Sequence, residues 1–109
     1  MEAALDLSTQ QRMAIVAWAE ATPLVSAIYL FGSRAKSISR PDSDADLALV
    51  LAAANPVDAF LGAKEDWQNE LRSLTGLTVN LDVLAGDETP KATQYVADFS
   101  LLLFERPPK

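Results

Sequence analysis

FGSRAKSISRPDSDADLALV, residues 31–50, decides how this chain folds. It leaves one apolar run, Val25–Phe31 (VSAIYLF), through Gly32 and Ser33, and ten residues later reaches Asp44-Ala45-Asp46 at the head of another, Ala45–Leu51 (ADLALVL). Both runs are short and bounded by turn residues, which marks them as strands. The stretch is therefore a strand, a turn and a second strand.

Along the second strand a period of two sets Asp44 and Asp46 on one face and Ala45, Leu47 and Leu49 on the other. Two carboxylates held that close repel each other unless a proton or a cation lies between them. Oxygen-only ligands favour a hard cation, and Mg²⁺ binds through one or two carboxylates together with substrate phosphates. At the other end of the turn, Gly32 lets a ligand approach the backbone, and Ser33 offers a hydroxyl and an N–H where a phosphate can be held. Phosphate and metal are expected to meet over one strand edge.

Two plainer readings compete. Asp42, Asp44 and Asp46 also spell the D-x-D-x-D opening of a calcium loop, but that loop needs Gly at its sixth position and Glu at its twelfth, where this chain has Leu47 and Ala53. A solvated acidic turn is the stronger rival, since Ser, Asp and Pro are ordinary loop residues. The Gly32-Ser33 pair at the far end of the turn weighs against it, because agreement across several levels is itself evidence. Asp42, next to Pro41, is a turn residue.

Outward from this centre, Ser8 with Gln11 forms a capping box that opens a helix over Thr9–Glu20, with Met13, Val16 and Ala17 on its inner side. Thr22-Pro23 ends that helix and feeds the first strand, which is apolar enough to be buried on both faces. Beyond the second strand, Asn55-Pro56 supplies an N-cap and a first-turn proline. Val57, Phe60, Leu61, Ala63, Trp67, Leu71 and Leu74 then recur at helical spacing until Gly76 stops the helix. Residues 77–84, LTVNLDVL, form a third strand with Asn80 and Asp82 on one face; a carboxylate in the middle of an apolar strand is costly unless it is paired or binds something. An edge-strand Asp reaching solvent is the alternative. A short helix over Pro90–Asp98 and a last strand over 101–104 complete the chain. Trp18 and Trp67 belong to the core or its rim.

The 109 residues amount to one domain, 1–109, with a hydrophobic fraction of 50% and a charged fraction of 22%, typical of a globular protein. There is no Cys and no His, which excludes disulfides, thiolate or imidazole metal sites and Ser-His-Asp chemistry. A net charge of −6 argues against a broad footprint for nucleic acid, whose affinity comes from Lys and Arg neutralising phosphates. No apolar run approaches the length of a membrane span and the first residues do not resemble a signal peptide, so a cytoplasmic location is expected.

Gly32-Ser33, ten residues, then Asp44-x-Asp46 resembles the signature of the minimal nucleotidyltransferases, small members of the DNA polymerase β-like superfamily. Many of these continue Gly-Ser-Arg-Ala-Arg-Gly; this chain has Gly32-Ser33-Arg34-Ala35-Lys36-Ser37, keeping the second basic residue and losing the second glycine. Leu103-Phe104-Glu105 is similar to the Leu-Tyr-Glu with which the family often ends. The resemblance implies an α/β domain with a small mixed sheet and helices mainly on one face. It further implies two Mg²⁺ ions held by Asp44, Asp46 and Asp82, the last nearer the attacking hydroxyl, and ATP as substrate with its β- and γ-phosphates on Gly32 and Ser33. Arg34 and Lys36 would neutralise the leaving pyrophosphate or touch a partner, and are equally readable as surface charges. Such proteins are typically antitoxins paired with a HEPN-domain ribonuclease toxin, some of them transferring AMP to a toxin tyrosine. Two other readings stay open: an antitoxin that neutralises by binding alone, and transfer to a small-molecule hydroxyl.

Overall fold

The computed structural model describes residues 7–32 and 44–106. In chain order these form α1 (Thr9–Glu20), β1 (Val25–Phe31), β2 (Ala45–Leu51), α2 (Pro56–Thr75), β3 (Val79–Val83), a 3₁₀ turn (Gly86–Glu88), α3 (Pro90–Asp98) and β4 (Ser100–Glu105). The four strands make one sheet in the order β3-β2-β1-β4. β1 pairs antiparallel with both β2 and β4, while β2 and β3 run parallel and are joined across α2. A parallel pair needs a crossover of that kind, because a tight turn cannot bring the chain back to the same end.

The core lies between the sheet and α1 with α2. Ile28 and Leu30 of β1, Leu47 and Leu49 of β2 and Leu81 of β3 are buried there with Ile15, Trp18, Phe60, Trp67 and Leu71. The register puts Leu30 opposite Leu47 and Leu47 opposite Leu81, so one residue from each of three strands lines up in a single row under the helices. Replacing Leu47, which is fully buried, by Ala is expected to cost about 3 kcal/mol. In a thermal melt that appears as a Tm lower by roughly 10–20 °C.

The helix ends follow their local chemistry. Ser8 Oγ accepts from the Gln11 backbone N–H at 3.0 Å, and Gln11 Oε1 accepts from the Ser8 backbone N–H at 2.9 Å, completing the capping box at the start of α1. Gly76 ends α2 with φ +75°, a left-handed conformation that costs a glycine little. Asn55 precedes α2 without a side-chain capping bond, so the start of that helix rests on Pro56.

Some expectations about packing need correction. α1 buries Ile15, Trp18 and Ala19, and Met13, expected inside, is 64% exposed. Apolar residues surround this helix on nearly every side, so periodicity could not choose a face, and Trp18 chose it. Its ring packs edge-on against Trp67 at 5.7 Å, and its indole N–H donates to Glu70 Oε1 at 2.8 Å. On α2, Leu61 and Leu74 are exposed although they belong to the apolar stripe. β1 is buried on both faces along most of its length, as its apolar run indicates, with Ser26 and Tyr29 half-buried. Arg106, just past β4, closes the end of α1: Nη2 donates to the Ala19 carbonyl at 2.8 Å and Nε to the Val25 carbonyl at 3.3 Å.

Candidate active site

The face of the sheet opposite α1 and α2 carries the acidic residues. β2 presents Asp46 there, directly paired with Phe31 of β1 on one side and Asn80 of β3 on the other. Asp44, exposed, lies just before the strand, and Asp82 stands two residues beyond Asn80, opposite Ala48. The alternation that buries Val79, Leu81 and Val83 turns Asn80 and Asp82 outward.

The two β2 carboxylates converge on a single side chain. Asn80 Nδ2 donates to Asp44 Oδ2 at 2.8 Å and to Asp46 Oδ1 at 3.3 Å. On its other side Asp46 meets Gly32, whose φ of +77° is a left-handed conformation. A Cβ on Gly32 would overlap Asp46 Oδ2 and come within 3.2 Å of its Cγ. Glycine is required here twice, by the backbone conformation and by the carboxylate beside it.

Burial raises the Asp46 pKa, the Asn80 hydrogen bond lowers it, and the charges of Asp44 and Asp82 raise it; the net shift is upward. Asp82 is also shifted upward by burial, with the Lys64 charge opposing. Raised carboxylate pKa values mean that the folded chain binds these protons more tightly than the unfolded chain does. The stability they contribute is therefore full below the ordinary carboxylate range and is lost as pH rises through the raised values. Asp46→Asn is accordingly expected to melt above the wild type near pH 7, with the gap closing at about pH 4, in thermal melts over that range.

Two hollows flank the carboxylates. One, of about 310 Å³, lies between Gly32 and Asp46 and the end of α3, where Tyr95 stacks on Phe31 at 6.2 Å and 11°. The other, of about 410 Å³, lies past Asp82 at the sheet edge and is walled by Phe60, Leu61, Lys64, Pro90 and Lys91. Because the strand order is β3-β2-β1, the Gly32 hollow, the carboxylate pair and the Asp82 hollow follow one another across the sheet.

Of the residues singled out in the sequence, Gly32, Asp44, Asp46 and Asp82 thus come to one face. Ser33, Arg34 and Lys36 lie outside the described residues. Among the described residues no three acidic side chains close around a single point as a finished metal cage. The donor set nonetheless suits a hard cation, because the acidic side chains on this face offer only oxygen. Two participants escaped the sequence reading. Tyr95 could not be placed, since its stacking on Phe31 joins residues 64 positions apart in the chain. Asn80 shares the Asp82 face by its even spacing, but that spacing alone does not show that it bonds to both Asp44 and Asp46.

A family model described as "Polymerase beta, Nucleotidyltransferase" matches residues 14–109. Several solved structures share the architecture. One is a toxin–antitoxin crystallised with AMP-PNP, 24% identical with a TM-score of 0.67 over 90% of this chain and 74% of that one. Another is the MntA-HepT toxin–antitoxin, 22% identical with a TM-score of 0.65 over 90% of this chain and 73% of that one. A third is the tri-AMPylated Shewanella oneidensis HEPN toxin in complex with MNT antitoxin, 26% identical with a TM-score of 0.63 over 87% of this chain and 70% of that one. No curated protein matches the sequence.

Proposed function

The chain belongs to the polymerase beta nucleotidyltransferase family, and on that premise we propose that it is an antitoxin that transfers AMP from ATP to a hydroxyl of a HEPN-domain toxin. The observation that carries this reading is the convergence of Asp44 and Asp46 beside Gly32 at one end of β2, with Asp82 on the neighbouring strand. The similarity to a complex holding AMP-PNP and to one holding an AMPylated toxin supports the choice of nucleotide and acceptor. Residues 1–109 act in this reading as one nucleotidyltransferase domain.

Asp44, Asp46 and Asp82 would hold two Mg²⁺ ions. Bound Mg²⁺ supplies Lewis-acid stabilisation of the phosphoryl oxygens and of the departing pyrophosphate. Gly32 and Ser33 hold the β- and γ-phosphates at the β1 end, and Arg34 and Lys36 offset the pyrophosphate charge. The hollow past Asp82 receives the acceptor, with apolar walls from Phe60, Leu61 and Pro90 and with Lys64 at hand. An in-line displacement requires the attacking and leaving oxygens on opposite sides of the phosphorus, and the order Gly32, Asp46, Asp82 across the sheet supports a phosphate side at Gly32 and an acceptor side at Asp82. The acceptor oxygen bonds to the α-phosphorus, the bond to pyrophosphate breaks, and the hydroxyl proton leaves past Asp82 to water. With no His in the chain, positioning and charge do the catalysis, as phosphoryl transfer allows.

The test is intact mass of a co-expressed HEPN partner. An added AMP, one or several, that requires this chain, ATP and Mg²⁺ is the expected result. A partner silenced at its unmodified mass overturns transfer in favour of neutralisation by binding. ATP turnover with small hydroxyl acceptors and no protein partner would move the substrate to that class.

A further inference from the structure

We infer that Asn80 is a positioning residue that holds the Asp44 and Asp46 carboxylates in the arrangement a cation needs. The inference rests on the metal-dependent reading of the site, and no part of that reading assigns Asn80 a role. Asp44 and Asp46 are two residues apart, so in extended chain their Cα atoms are separated by about 6.6 Å. Two carboxylates on such a spacing gain by turning away from each other, since like charges repel. In this fold they turn together, because the parallel pairing sets Asn80 opposite Asp46 and its single NH₂ group donates one proton to each acid, at 2.8 Å and 3.3 Å.

Asp46 is thereby gripped from two directions. Oδ1 accepts from Asn80, and Oδ2 lies against the bare Cα side of Gly32. Asp44 is exposed and precedes the strand, so the Asn80 bond carries more of its orientation. An amide suits this place and a carboxylate does not: Asn presents two donor protons, whereas an ionised Asp presents none. Asn80 itself is exposed on an edge strand, and its replacement leaves the core intact.

The measurement is Mn²⁺ binding followed by electron paramagnetic resonance, on the wild type, Asn80→Ala and Asn80→Gln, each checked for folding by a thermal melt. Loss of a group that orients metal ligands typically costs 10–100-fold in affinity, and that is the weakening expected of Asn80→Ala, with melting little changed. Asn80→Gln keeps the donor and is expected to recover most of the affinity. Asn80→Ala binding Mn²⁺ as tightly as the wild type overturns the inference, as does Asn80→Gln binding no better than Asn80→Ala. A wild type that binds no Mn²⁺, with or without AMP-PNP, overturns the metal-dependent reading itself and the role of Asn80 with it.

Discussion

An Asp44→Ala/Asp46→Ala chain is expected to leave its HEPN partner without added AMP, with transfer reduced by at least about 10³-fold. Cation stabilisation of the developing phosphoryl charge is worth several kcal/mol, and every 1.36 kcal/mol is a factor of ten in rate. The variant keeps its fold, because Asp44 is exposed and Asp46 only half-buried on a sheet face away from the core. Removing two mutually repelling carboxylates also relieves a cost, so at neutral pH it should melt at or above the wild type. That combination distinguishes lost chemistry from lost structure. Intact mass of the partner gives the first readout and a thermal melt the second. A partner still modified at the wild-type rate would remove these two residues from the mechanism.

Gly32→Ala has the second largest expected effect, and for a reason visible only in three dimensions. Its backbone lies at φ +77°, where a side chain costs about 1–2 kcal/mol, and the new Cβ would collide with Asp46 Oδ2. Asp46 must swing away, and since it is bonded to Asn80 the carboxylate pair is disturbed as a unit. A misplacement of about 1 Å in a catalytic group can cost 10²-fold, and transfer should fall by about that much while the protein remains folded. Coupling between the sites provides a check. In Gly32→Ala/Asp46→Ala the collision is gone, so the double variant should lose less stability than the sum of the singles. Strict additivity in thermal melts would show that Gly32 and Asp46 do not touch.

Much of this was legible from residue order alone. The period of two in ADLALVL places Asp46 away from Leu47 and Leu49 wherever the strand lies, because alternation is a property of extended backbone. The capping box at Ser8 and the left-handed stop at Gly76 are local in the same sense, and α3 begins and ends at Pro90 and Asp98 as its sequence indicates. The direction α1 faces was not legible, since Met13, Val16 and Ala17 are as apolar as the Ile15, Trp18 and Ala19 that are buried instead. That choice was made by Trp67 and Glu70, about fifty residues away.

What the sequence by itself determined about this protein is the set of elements and the chemistry on each: carboxylates at the head of β2 and on β3, a glycine at the end of β1, and neither imidazole nor thiol. Those properties depend on neighbours one to four positions apart, and backbone sterics set them before any folding occurs. Only the tertiary structure decided that Asn80 would bind both Asp44 and Asp46, that Gly32 would have room for no side chain beside Asp46, and that Tyr95 would cover Phe31. These contacts join residues 14 to 64 positions apart, and their partners are selected by strand register and by the crossover through α2, which no local pattern encodes.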